Sequence, residues 1–97
     1  MITEIIRYQI PPESAEAFAR AYEAAGAFLS ASPHCLGWEL LRCTESPESW
    51  TVLIRWRSAA AHLEGFRPSP EFRGFLPHVQ PFFPRILEMK HYASVSH

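Results

Sequence analysis

The run Trp50-Thr51-Val52-Leu53-Ile54-Arg55-Trp56-Arg57 constrains the fold more than any other stretch of the chain. Its even positions are all large and apolar while its odd positions mix Thr, Leu and Arg, and a period of two belongs to a β-strand with one buried face. Residues 2–10 repeat the pattern, with Ile2, Ile6, Tyr8 and Ile10 on one face and Thr3, Ile5, Arg7 and Gln9 on the other. Pro11 and Pro12 end that strand, because neither can donate to a sheet ladder.

Between Glu13 and about Leu29 the period changes. Ala15, Phe18, Tyr22, Ala25 and Leu29 recur at spacings of three and four, which predicts an amphipathic helix that Ser32-Pro33 stops. Residues 35–43 read as a second strand, joined to residues 50–57 as a hairpin through the turn-forming Thr44–Ser49. Ser58 is the expected N-cap of a short helix over 59–66. Ser69-Pro70-Glu71 opens another helix in the favoured order of cap, proline and acid, and Pro77 and Pro81 are expected to keep it short. A last strand is predicted over 85–92, and 93–97 reads as a fraying polar tail.

The order β-α-β-β-α-β predicts one α+β domain over residues 1–97. The fold is ferredoxin-like: a four-stranded antiparallel sheet with helices on one face. The other face carries Ile5, Arg7, Leu53 and Arg55, too apolar for open water and too charged for a simple core. That mixture suits a homodimer in which two sheets pack together, with Arg7 or Arg55 paired to an acid such as Glu39 or Glu88.

Several function classes fall away. Nine basic residues against ten acidic ones, scattered singly, form no footprint for nucleic acid. No apolar run is long enough to span a membrane. Met1 leads straight into Ile2-Thr3-Glu4-Ile5 without a basic and apolar leader, so a cytoplasmic location is expected. Cys35 and Cys43 stand at the two ends of one strand, about 26 Å apart, too far for a bridge. A hydrolytic triad fails for want of any aspartate or a Gly-x-Ser-x-Gly turn. No two histidines share one element at chelating spacing, so no metal is expected.

With the β-α-β-β-α-β order in place, the Trp56-Arg57-Ser58 join and the Ser69-Pro70-Glu71-Phe72 segment give the chain its resemblance to a known family. Over nearly its whole length it resembles the antibiotic biosynthesis monooxygenase domain of the dimeric α/β-barrel superfamily. The resemblance implies pairing as a dimeric α/β barrel. It implies one of several activities: cofactor-free oxidation of polycyclic phenols, haem degradation or small-molecule isomerisation, and some members have no known activity. The haem-degrading branch carries an Asn on strand one, a Trp before the Ser-x-x-Phe turn and a His after it. This chain has no asparagine, places Phe66 at the Trp position, and has His78 displaced by about two residues from the His position near Leu76. Haem degradation is therefore not expected.

A cofactor-free oxygenase needs a dry pocket for an electron-rich ring and a group that favours the substrate anion, and histidine suits the second task near neutral pH. His62 and His91 are the candidates, His62 at the pocket mouth. Trp38, Phe66, Phe72 and Phe75 are the candidate lining for a small phenolic, anthrone- or quinol-like molecule, with no cofactor. Aromatic stripes usually fill interiors, so the same rings also read as core packing. A non-catalytic dimeric module that binds a small ligand or a protein partner is the alternative.

Overall fold

A computed structural model describes residues 1–97. Four strands, β1 (Ile2–Gln9), β2 (Cys35–Arg42), β3 (Ser49–Trp56) and β4 (Ile86–Tyr92), form one antiparallel sheet in the order β2-β3-β1-β4. Two helices cover one face: α1 (Ala15–Ala31), entered through a 3-10 turn at Pro12–Ser14, and α2 (Pro70–Val79). This is the ferredoxin-like arrangement expected from the periodicities.

The parity of the strands decides what lies under the helices. Val52, Ile54 and Trp56 of β3 and Ile6 and Tyr8 of β1 are buried there, joined by Ile10 just past the strand end. From α1 come Phe18, Tyr22, Ala25 and Leu29, at the spacings of one helical face. Each large side chain so buried contributes about 1.5–3 kcal/mol. Tyr8 and Tyr22 meet through their hydroxyls at 2.6 Å, which satisfies two buried polar groups with one hydrogen bond. Burial pushes the Tyr8 phenol up to about 12 and raises that of Tyr22 as well.

Two local expectations need correction. The segment after Ser58 is capped as predicted, with the Ala61 amide donating to Ser58 Oγ at 3.0 Å, but over Ala61–Phe66 it winds as a π-helix. Pro77 does not end α2. It sits inside the helix, which runs on to Val79, and a 3-10 turn over Gln80–Arg85 follows, with Pro81 near its start. Pro77 forfeits the bond its own N–H would make and its ring crowds the Arg73 carbonyl one turn earlier, and the packing of Phe75 and Val79 into the core holds the turn around it.

Trp38 is not where sequence placed it. Instead of facing a pocket, its indole lies against Gly26 of α1, where a Cβ would meet Trp38 Cζ2 at 1.8 Å, and its Nε1 donates to Ser30 Oγ at 3.2 Å. The missing side chain at Gly26 is what lets the ring in.

The outer sheet face holds Thr3, Ile5 and Arg7 of β1, Thr51, Leu53 and Arg55 of β3, and their cross-strand neighbours. Both arginines find acids within the chain: Arg7 to Glu88 at 3.8 Å and Arg55 to Glu39 at 3.3 Å. Cys35 and Cys43 are free thiols. No helix is long and apolar enough to cross a membrane.

Candidate functional site

Between sheet and helices lies a cavity of about 130 Å³, with 13 of its 16 lining residues hydrophobic. The three polar exceptions are Glu4, His62 and Arg67. Phe66, Phe72 and Phe75 form one wall, with ring centroids 5.5 to 6.2 Å apart. Trp56, Ile54 and Tyr8 form the floor on the sheet side.

Glu4 arrives there by register. It shares its β1 parity with Ile2 and Ile6, so it points under the helices, between Ile54 of β3 and His91 of β4. It is 3% exposed, and its Oε1 accepts a hydrogen bond from Trp56 Nε1 at 3.0 Å. Burial raises the Glu4 carboxyl pKa above 4.5, and the Trp56 bond offsets part of that rise.

His62 is positioned by the π-helix. A π turn closes i to i+5, and the Arg67 amide donates to His62 O at 3.0 Å. That brings the side chains of residues 62 and 67 together, and Arg67 Nε donates to His62 Nε2 at 3.2 Å. The imidazole itself stacks flat on the Trp56 indole, centroids 4.4 Å apart and planes 6° from parallel. Its other nitrogen, Nδ1, lies 2.8 Å from Nε2 of His91.

These contacts assign the protons. A guanidinium has only donors, so Nε2 of His62 must accept. The ring proton then sits on Nδ1 and is donated to His91 Nε2. His62 is thus neutral, and its pKa is lowered to about 4 by burial first, then by Arg67 and His91. Glu4 Oε1 lies 3.7 Å from His62 Nε2, but with the imidazole neutral this is a contact rather than an ion pair. Arg67, itself exposed, also covers the Phe72 ring at 5.7 Å.

Of the residues singled out from sequence, His62, Phe66, Phe72 and Phe75 meet at the cavity. His91 stands behind His62 rather than on the wall, and Trp38 lies elsewhere. His62 is buried at 3% exposure, not placed at an open mouth. Glu4 and Arg67 were missed. Parity alone would have found Glu4, an acid among the inward-facing residues of β1. Arg67 could be found only by anticipating the π turn. The donor atoms of Glu4, His62 and His91 all lie within 4.8 Å of one another, a grouping able to hold a cation.

A family model described as antibiotic biosynthesis monooxygenase matches residues 1–77. The uncharacterized protein YczJ of Bacillus subtilis (strain 168) is 23% identical over 95 residues, which cover 98% of this chain and all of that one. A solved structure of a candidate antibiotic biosynthesis monooxygenase from Bordetella bronchiseptica superposes with a TM-score of 0.83 at 24% identity, covering 98% and 97% of the two chains. SnoaB from Streptomyces nogalater, a cofactor-independent oxygenase, superposes with a TM-score of 0.80 at 20% identity over 99% of this chain and 94% of that one. At these identities the structural likenesses speak for the fold.

Proposed function

The chain belongs to the antibiotic biosynthesis monooxygenase family, and we propose that it is a cofactor-independent oxygenase acting on a single-ring phenol or quinol. The observation that carries this reading is the cavity: a ring-lined, apolar space whose polar wall consists of Glu4, His62 and Arg67. Its volume of about 130 Å³ is close to the cavity of about 150 Å³ that takes one benzene ring. A three-ring anthrone needs more room than that.

The chemistry asks little of the protein. A phenol with an open para position loses its O–H proton, and the anion adds oxygen at carbon. The peroxide then loses water, so that phenol and oxygen become quinone and water with all electrons supplied by the substrate. Glu4 is the proton acceptor, since it lines the cavity and burial has already moved its pKa toward that of a phenol. His62 is held in place beside the cavity by Arg67 on Nε2 and by the half-buried His91, to which its Nδ1–H donates. Arg67 supplies positive charge beside the developing anion.

The functional unit is a homodimer joined through the outer sheet face at Ile5, Arg7, Leu53 and Arg55, in the cytoplasm, where free thiols persist. Oxygen uptake with matched panels of single-ring phenols, hydroquinones and anthrones tests the assignment. Uptake is expected with the single-ring compounds and is expected to fall by at least about tenfold in Glu4→Gln. Saturable binding of these rings without any oxygen consumption would instead mark a non-catalytic binding module.

A further inference from the structure

We infer that Glu4, His62 and His91 form a binding site for one divalent first-row transition-metal ion. Three elements that are remote in sequence, β1, the π-helix and β4, each deliver one donor to the same place, and all donor atoms fall within 4.8 Å of one another. Two imidazoles and one carboxylate form a donor set that suits iron, zinc, nickel and copper.

The spacing of the two imidazoles supports it. Two nitrogens bound at right angles to a metal at about 2.1 Å lie about 3.0 Å apart, and His62 Nδ1 and His91 Nε2 are 2.8 Å apart. One proton now separates them, and a metal ion would replace it. The carboxylate is already oriented by a group that binds no metal, since Trp56 Nε1 holds Glu4 Oε1 at 3.0 Å. Such outer partners fix first ligands in metal sites generally.

Charge supports it independently. A buried carboxylate is ordinarily paired with a cation or bound to a metal. Glu4 is 3% exposed, and its one neighbour at ion-pair distance is a neutral imidazole. The only cation on the cavity wall, Arg67, is spent on His62 Nε2 and is exposed, so it can swing into solvent when a metal enters. The metal form goes beyond the oxygenase reading and is a second state of the site, because bound metal takes the Glu4 lone pair that would accept a substrate proton.

The test is equilibrium dialysis of the untagged, chelator-stripped full chain against Co(II), then Zn(II), with metal content measured directly and no substrate present. Saturation at one ion per chain is expected, with a rise in melting temperature that tracks occupancy. His91→Ala and Glu4→Gln should each weaken binding by at least about tenfold while keeping the circular dichroism of the parent. His97→Ala, in the tail, should change nothing. Absence of saturable binding overturns the site, and so does binding that survives His91→Ala, which would place the ion on other histidines. The oxygen-uptake result bears on the oxygenase reading alone, so either idea can fail without the other.

Discussion

Acidification isolates what His62 contributes to folding. In the folded chain its pKa is pulled from 6.5 to about 4, by burial, then by Arg67 and His91. The unfolded chain therefore takes up a proton near pH 6.5 that the folded chain refuses until about pH 4. Stability attributable to this ring is complete above pH 6.5 and is lost as pH falls through that window. One pKa unit corresponds to about 1.4 kcal/mol, so linkage between those two values gives about 2 kcal/mol lost from pH 7 to pH 5. Glu4 acts with the opposite sign. Its pKa is raised in the fold, so the folded chain protonates first, and acidification through that range returns stability. Urea unfolding of chelator-treated protein, followed by tryptophan fluorescence between about pH 7 and 5, separates the two. The stability gap between the parent and His62→Phe should narrow by about 2 kcal/mol over that interval, because phenylalanine can keep the stack on Trp56 without titrating. Glu4→Gln should make the acid loss steeper than in the parent. If His62→Phe loses as much stability as the parent on acidification, the neutral imidazole capped by Arg67 is wrong.

Gly26→Val would drive a side chain into the Trp38 indole, since even a Cβ would stand 1.8 Å from Cζ2. The expected loss is about 1–3 kcal/mol in urea unfolding, with a shift in Trp38 emission, and unchanged stability would mean that the ring does not rest on this glycine. Light scattering after gel filtration should give about twice the chain mass of 11.1 kDa. Leu53→Asp on the outer face should return the monomer, whereas a monomeric parent at micromolar concentration would defeat the sheet-to-sheet interface.

Sheet and helices were legible because their periods differ. Alternation over residues 2–10 and 50–57 and the three-four spacing of Phe18, Tyr22 and Leu29 each report burial on one face, which is also what stabilises each element. The site was legible only in part. Phe66, Phe72 and Phe75 show as an aromatic stripe, yet a stripe says nothing of whether rings enclose space. Glu4 was readable from parity but hidden by the apolar residues around it. The Glu4–His62–His91 grouping was invisible to any search along one element, because its members are 58 and 29 positions apart and meet only when β1 and β4 pair. Trp38 was misplaced because nothing beside it in sequence shows that its ring rests on Gly26, across the fold.

The π-helix at Ala61–Phe66 makes this site a matter of chain length as much as of residue identity. A π turn holds one residue more than the α turn it replaces, and each residue of an α-helix advances by about 100° around the axis. Removing a single residue between Ser58 and Phe66 would let the segment relax into an ordinary α-helix and would rotate His62 off the Trp56 indole and out of reach of His91, with the core aromatics still in place. A shortened chain of this kind is expected to fold and yet lose the His62–His91 contact and the Arg67 cap on His62 together. Relatives could therefore vary many of the side chains in this segment while the count of residues between Ser58 and Phe66 stayed fixed.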